Sequence, residues 1–295
     1  SKKWLINSIF DKNLYNQIMK SLFTILVAFL SVFTFAQNNF QGKAVYMSKT
    51  SMDMSRFEKM PEQRKKQMMA RFKNFLEKTY TLSFNKTESS FKEDVALEGP
   101  GASGPSWGRS NGQGSIYKSL KDKKMIEDVE QFSKRFLVVE DMGQLEWELG
   151  TETKKIGNYT CYKATLVKED TNVDWGSIFS RRGNDKKKDS TNNKDSKTAK
   201  KMLNVTAWYT PQIPVSSGPD KYYGLPGLIL ELNAGRTTML CTEIAISTSG
   251  DLEIKEPRKG KEVSREEYTQ IVKEKTEELK ERFKNRGRGG RGRGY

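Results

Sequence analysis

The stretch SIYKSLKDKKMIEDVEQFSKRFLVV, residues 115–139, decides the fold. It holds three strand-length runs in succession, residues 115–120, 124–132 and 135–139, in which apolar and polar side chains alternate and no helical period intervenes. Parallel strands need a long crossover, so runs this close together predict antiparallel neighbours. Further runs follow at 145–149, 158–167, 203–209, 228–232 and 237–247. Upstream, residues 42–48 read as a first strand, and 80–84 with 89–91 read as a hairpin turning at Asn85-Lys86. The expected fold class is mainly β within the α+β group: a curved antiparallel meander sheet, analogous in shape to the half-barrel of periplasmic lipoprotein carriers.

Two helical patterns flank these strands. Over residues 55–78, Phe57, Met60, Met68, Met69, Phe72, Phe75 and Leu76 recur at three- and four-residue spacing, with a break expected near Pro61. This amphipathic helix is expected to pack on the sheet, with an adaptable Met-rich binding surface as the alternative. In residues 258–285, Ser264 followed by Glu267 forms a capping-box pattern. Tyr268, Ile271, Val272, Leu279 and Phe283 share one face there, and Asn285 and Gly287 can stop the helix. Residues 99–114 are rich in Gly and Pro and read as a loop.

Charge is concentrated rather than spread. The 295 residues carry 52 basic and 37 acidic side chains, a net charge of +15. Residues 1–36 contribute +3, residues 181–201 contribute +6 and residues 258–295 contribute +6, so the remaining body is formally neutral. The 181–201 segment, RRGNDKKKDSTNNKDSKTAKK, reads as a disordered surface insertion, since it has little to bury and no aromatics for base stacking. Nucleic acid is therefore not an expected partner. The Arg/Gly tail 286–295 suits an anionic envelope surface instead. The chain has no histidine, which excludes His-dependent triads and imidazole metal sites and removes the usual near-neutral general base.

Met19 and Lys20 open an apolar run over 22–35 that ends at Ala36, the pattern of a secretory signal peptide cleaved after Ala36 to leave Gln37 first. Residues 1–18 read as an upstream extension. A retained anchor is the alternative, but the run falls short of the roughly 18–20 residues a span needs. No Cys stands at the cleavage point, so the expected location is periplasmic or outer-membrane-associated without a lipid anchor. Cys161 and Cys241 sit in strand-like runs: a disulfide if those strands are neighbours, two buried thiols otherwise. Two cysteines are too few for a Cys-based metal site, and no cofactor or metal is expected. The body, residues 37–257, is read as a single β-rich domain.

The most distinctive motif runs from Trp208-Tyr209 through Pro211, Pro214, Tyr222 and Tyr223 to Gly224-Leu225-Pro226-Gly227. Pro226-Gly227 suits a type II turn with positive φ at Gly227, which would aim Leu228, Leu230 and Leu232 at one face of the sheet. These ten motif residues, Trp208 to Gly227, are the candidate ligand- or partner-binding set. A catalytic reading would have to gather Asp174, Asp220, Glu231, Ser216 and Ser217, isolated groups of a kind that is more often structural. No catalytic residue is assigned and a non-enzymatic role is expected.

The hexapeptide at 224–229 closely resembles the signature of the GLPGLI family, secreted proteins of Bacteroidota named for it. The resemblance extends to Trp208-Tyr209-Thr210, Ile213-Pro214, Gly218-Pro219, Trp147 and residues 157–164, and so to most of 40–257. It implies export and a Bacteroidota source, and no established catalytic activity. The functional expectation is a hydrophobic ligand or lipidated partner bound in a β-sheet groove. The alternative is an accessory protein that docks on an outer-membrane transporter or secretion machine through its 208–227 aromatics.

Overall fold

The computed structural model describes residues 19–21, 40–52, 58, 60–94, 112–169, 202–247 and 252–288. The leader core, the 181–201 insertion, the tail 289–295 and Asp174 lie outside them. The chain divides into two units, Ser1–Gln41 with Ile246–Leu252, and Gly42–Ala245 with Glu253–Tyr295. In the first, residues 19–21 are helical. Apart from the ends of two strands, the sheet and both long helices belong to the second.

Twelve strands form one open, curved, mostly antiparallel sheet. They are β1 (Gln41–Thr50), β2 (Glu77–Asn85), β3 (Glu88–Glu93), β4 (Gly112–Ser119), β5 (Lys124–Gln131), β6 (Lys134–Asp141), β7 (Glu148–Ile156), β8 (Tyr159–Glu169), β9 (Met202–Thr210), β10 (Leu228–Ala234), β11 (Thr237–Ser247) and β12 (Lys261–Ser264). Their order across the sheet is β12-β6-β5-β4-β3-β2-β1-β11-β10-β9-β8-β7. Two meanders, β1 to β6 and β7 to β11, thus join through β1 and β11. The 115–139 stretch supplies β4, β5 and β6, as its spacing predicts, with Tyr117 opposite Ile126 and Ile126 opposite Val139.

The outer strands differ from expectation. The 145–149 run is mostly irregular, and Leu145 and Trp147 pack onto the core of β8 to β10 instead. The strand there is β7, whose sequence ELGTETKKI is exposed along nearly all its length. An edge strand with little to bury carries charge rather than alternation, which is how proteins discourage edge pairing. Four-residue β12 runs parallel to β6 and carries Val263 into the core.

Helix α1 (Glu62–Leu76) starts immediately after Pro61, and residues 55–57 and 59 of the expected helix lie outside the described residues. Helix α1 does not lie flat on the sheet: Leu76 is buried, while Met69 and Phe72 are 37% and 41% exposed. Helix α2 (Arg265–Arg288) packs as its pattern predicts, Tyr268 and Ile271 meeting Val129, Phe136, Val138 and Val263. Ser264 Oγ accepts the Glu267 N–H at 3.1 Å, half of the capping box, while the Glu267 carboxylate takes Lys261 Nζ at 2.8 Å. The helix continues through Gly287 to Arg288, beyond the expected stop. Among the described residues no helix is long and apolar enough to cross a membrane.

The two cysteines do not form the bridge that neighbouring strands would allow. Cys161 on β8 and Cys241 on β11 are separated by β9 and β10, and both are free and buried. Three inter-strand steps of about 4.8 Å far exceed the Cα separation a disulfide accepts. Burial pushes the two thiols up to about 11 and about 12, so both are poor nucleophiles.

Candidate functional site: a cover latched by a buried lysine

Residues 211–227 connect β9 to β10 without regular structure, yet Ile213, Val215, Tyr222 and Leu225 are almost wholly buried. The segment satisfies its backbone by short-range bonds. Val215 N donates to Ile213 O and Ser217 N to Val215 O, both at 2.8 Å, and Leu228 N donates to Ile213 O at 3.0 Å. Tyr222 and Leu225 pack with Ala164, Ala207, Tyr209, Ile229 and Leu232 from β8, β9 and β10.

The opposite side of the segment meets the other meander. Lys118 on β4, 1% exposed, donates through Nζ to three carbonyls of the segment: Gly218 at 2.6 Å, Asp220 at 2.8 Å and Tyr222 at 3.2 Å. Ser89 on β3 stands opposite Lys118 in register, and its Oγ receives a hydrogen bond from Ser217 Oγ at 2.8 Å. From β1, Tyr46 OH donates to Ile229 O at 2.6 Å, and Trp147 Nε1 donates to Tyr223 O at 2.8 Å. The 211–227 segment is therefore a cover pressed on one sheet face and held to both meanders by directed polar contacts.

Burial shapes the electrostatics of the latch. It pushes the Lys118 ammonium down to about 7 against the attraction of Asp220. Burial likewise raises the Asp220 carboxyl, opposed by Lys221. Asp220 sits at φ +52°, a left-handed conformation that Asp tolerates better than most residues, in a turn closed by Tyr222 N to Pro219 O at 3.2 Å. Burial alone would raise Glu127 too, but Lys221 Nζ at 2.6 Å and the Arg265 guanidinium hold it low. Arg265 also bonds Glu140, with Nε to Oε1 at 3.0 Å, tying the start of α2 to the same network. A lysine near neutrality could serve as a base elsewhere. Here the Nζ is enclosed and bonded to three carbonyls, the geometry of a clamp.

The glycines act differently from the turn argument. Gly227 has no positive φ, and its N–H donates to Leu225 O at 2.8 Å, closing a three-residue turn around Pro226 rather than a type II turn. Glycine is required there by proximity, since a Cβ would lie 2.2 Å from Thr210 O. The positive φ, +93°, belongs to Gly224. The expected alignment of Leu228, Leu230 and Leu232 also fails. A register shift between Ile229 and Glu231 places Ile229 and Leu232 on one face, opposite Tyr209 and Ala207.

Of the ten motif residues, the structure buries Tyr209, Tyr222, Tyr223, Leu225 and Gly227, and leaves Pro211, Pro214, Gly224 and Pro226 exposed. Trp208 is half-buried, with Lys154 Nζ 4.3 Å from its ring centroid and bonded to Glu231 Oε2 at 2.6 Å. Glu231 and Ser217 are thus engaged in structural contacts, and Asp220 and Ser216 stand at separate points of the cover. Lys118 and Ser89 escaped the motif because they lie far upstream, 100 residues before Gly218 and 128 before Ser217 respectively. The available signal was a lysine two positions from Ile116, on the same strand face. No cluster of acidic or Cys side chains among the described residues could hold a metal ion.

Residues 147–231 match the model of a family described as "Protein of unknown function (Porph_ging)". No curated protein matches the chain. Two solved structures titled as PNGF-II, in P21 and C2 space groups, align at a TM-score of 0.44 with 11% and 10% identity. Each alignment covers 79% of this chain, which spans about a third of the aligned chains, 33% and 32%. A likeness at that level says nothing of this chain's activity.

Proposed function

We propose that this chain is an exported, envelope-associated, non-catalytic binding protein that takes an apolar ligand, or the acyl chain of a lipidated partner, on the sheet face beneath residues 211–227. The observation that carries this reading is how the cover is fastened. Its apolar side chains rest on an apolar sheet face, but no strand ladder holds it there. Separate polar contacts from Lys118, Ser89, Glu127, Gly143, Trp147 and Thr160 do so, and these can release together. An incoming acyl chain would replace the apolar contacts of Tyr222 and Leu225. Docking through exposed motif aromatics is the weaker reading, because Tyr222 and Tyr223 are buried. Export rests on the leader, and intact mass of secreted protein beginning at Gln37 tests it. A mature chain that retains residues 22–36 would refute it.

The test of binding uses the 2.8 Å approach of Ser89 and Ser217. A Ser89→Cys/Ser217→Cys double variant can be oxidised to lock the cover and reduced to free it. Titrated with a fluorescent fatty acid, the reduced protein is expected to bind saturably and the oxidised protein to lose binding. Equal binding in both states would remove the cover from the mechanism, and no binding in either would overturn the ligand reading.

A further inference from the structure

Helix α1 is regular, and most of its described side chains are exposed. Its fifteen residues carry five basic side chains and one acidic, Glu62, which is engaged by Lys65 at 2.8 Å. At 3.6 residues per turn, Met68, Phe72 and Met69 fall within about 100° of arc, which also holds Lys65, paired with Glu62, and the buried Leu76; Arg64 lies beyond one margin and Lys66 and Lys73 beyond the other. Among the described side chains of α1, Leu76 at the C-terminal end is the buried one, fixing the helix to the body just before β2. Met69 and Phe72 face solvent. Among the described residues, Arg64, Lys66 and Lys73 make no ion pair.

We infer that α1 is a docking element for an anionic lipid surface. The charge pattern selects this occupant. A dry protein partner covering Met69 and Phe72 would have to desolvate cations on both margins of the stripe, a cost that rises steeply without paired acids. A headgroup layer meets those cations with phosphates while they remain hydrated. The long Lys and Arg stems let the charges stay at that level as Met69 and Phe72 reach the acyl boundary. The site is independent of the sheet ligand: α1 would dock whether or not the cover opens. It is also separate from the Arg/Gly tail, which has charge but no apolar stripe.

A local reporter tests this in the full chain. Phe72→Cys, labelled with an environment-sensitive fluorophore, reads α1 alone, because Cys161 and Cys241 are buried. The fluorophore is expected to shift to the blue on phosphatidylcholine vesicles containing phosphatidylglycerol, and not on phosphatidylcholine alone. Salt at about 1 M should reverse the shift. Adding Lys66→Glu and Lys73→Glu should weaken it by about tenfold or more in vesicle concentration. No shift on anionic vesicles, an equal shift on neutral ones, insensitivity to the charge reversals, or a shift that grows with protein concentration without vesicles would each overturn the inference; the last would indicate self-association.

Discussion

The cover, residues 211–227, and helix α1 invert the usual relation between regularity and burial. The cover has no repeating backbone pattern, yet its Ile213, Val215 and Leu225 are 1–2% exposed. Helix α1 is regular along fifteen residues and, among its described side chains, buries only Leu76. The helix satisfies its own backbone and can therefore stand away from the body. The cover cannot, so its carbonyls must find donors elsewhere, and Lys118 supplies three of those bonds. Secondary structure thus reports where backbone groups are paired, and burial reports where the free energy lies.

That contrast predicts very different mutational costs. Gly227→Val should be the most damaging change, about 3 kcal/mol or more by chemical denaturation, because its Cβ overlaps the Thr210 carbonyl and backbone cannot yield as a side chain can. Leu225→Ala should cost about 2–4 kcal/mol by cavity formation. Lys118→Met should cost about 1–3 kcal/mol near neutral pH by leaving buried carbonyls without donors.

The lysine variant also carries a pH signature. In the folded protein Lys118 titrates at about 7, against an ordinary value of 10.5. Between those values the unfolded chain holds the extra proton, so wild-type stability should climb as pH rises from about 7 toward 10.5 and fall again as pH returns to 7. Asp220 and Lys221, the charged neighbours on the cover, are unchanged in the variant. A Lys118→Met protein with the same pH slope as wild type would show that the latch does not titrate there. At the small end, Phe72→Ser on α1 should change stability by no more than about 0.5 kcal/mol, and a loss near that of Leu225→Ala would erase the contrast.

The central strands were legible because burial on at least one face writes alternation into the sequence, as in residues 115–139. The edge strands were not: β7 buries almost nothing, and β12 is four residues long. Pro61 was visible as a break in the helical pattern and the Met/Phe stripe was visible too, but a stripe does not say what covers it. The cover was located by its Pro and Gly spacing. The reason for Gly227 was not accessible, because proximity to Thr210 is a tertiary fact that local turn chemistry cannot contain. Lys118 lay hidden for the same reason: its partners are carbonyls 100 to 104 residues downstream, and carbonyls leave no trace in side-chain identity.

Native-state hydrogen exchange tests most directly whether residues 211–227 are one latched unit. The protected amides of Val215, Ser217, Gly227 and Leu228 should exchange together, through an opening less costly than global unfolding but well above that of exposed backbone, and Lys118→Met should lower that shared opening energy. Exchange of these amides only through global unfolding, unchanged in Lys118→Met, would contradict the account and make the segment ordinary core.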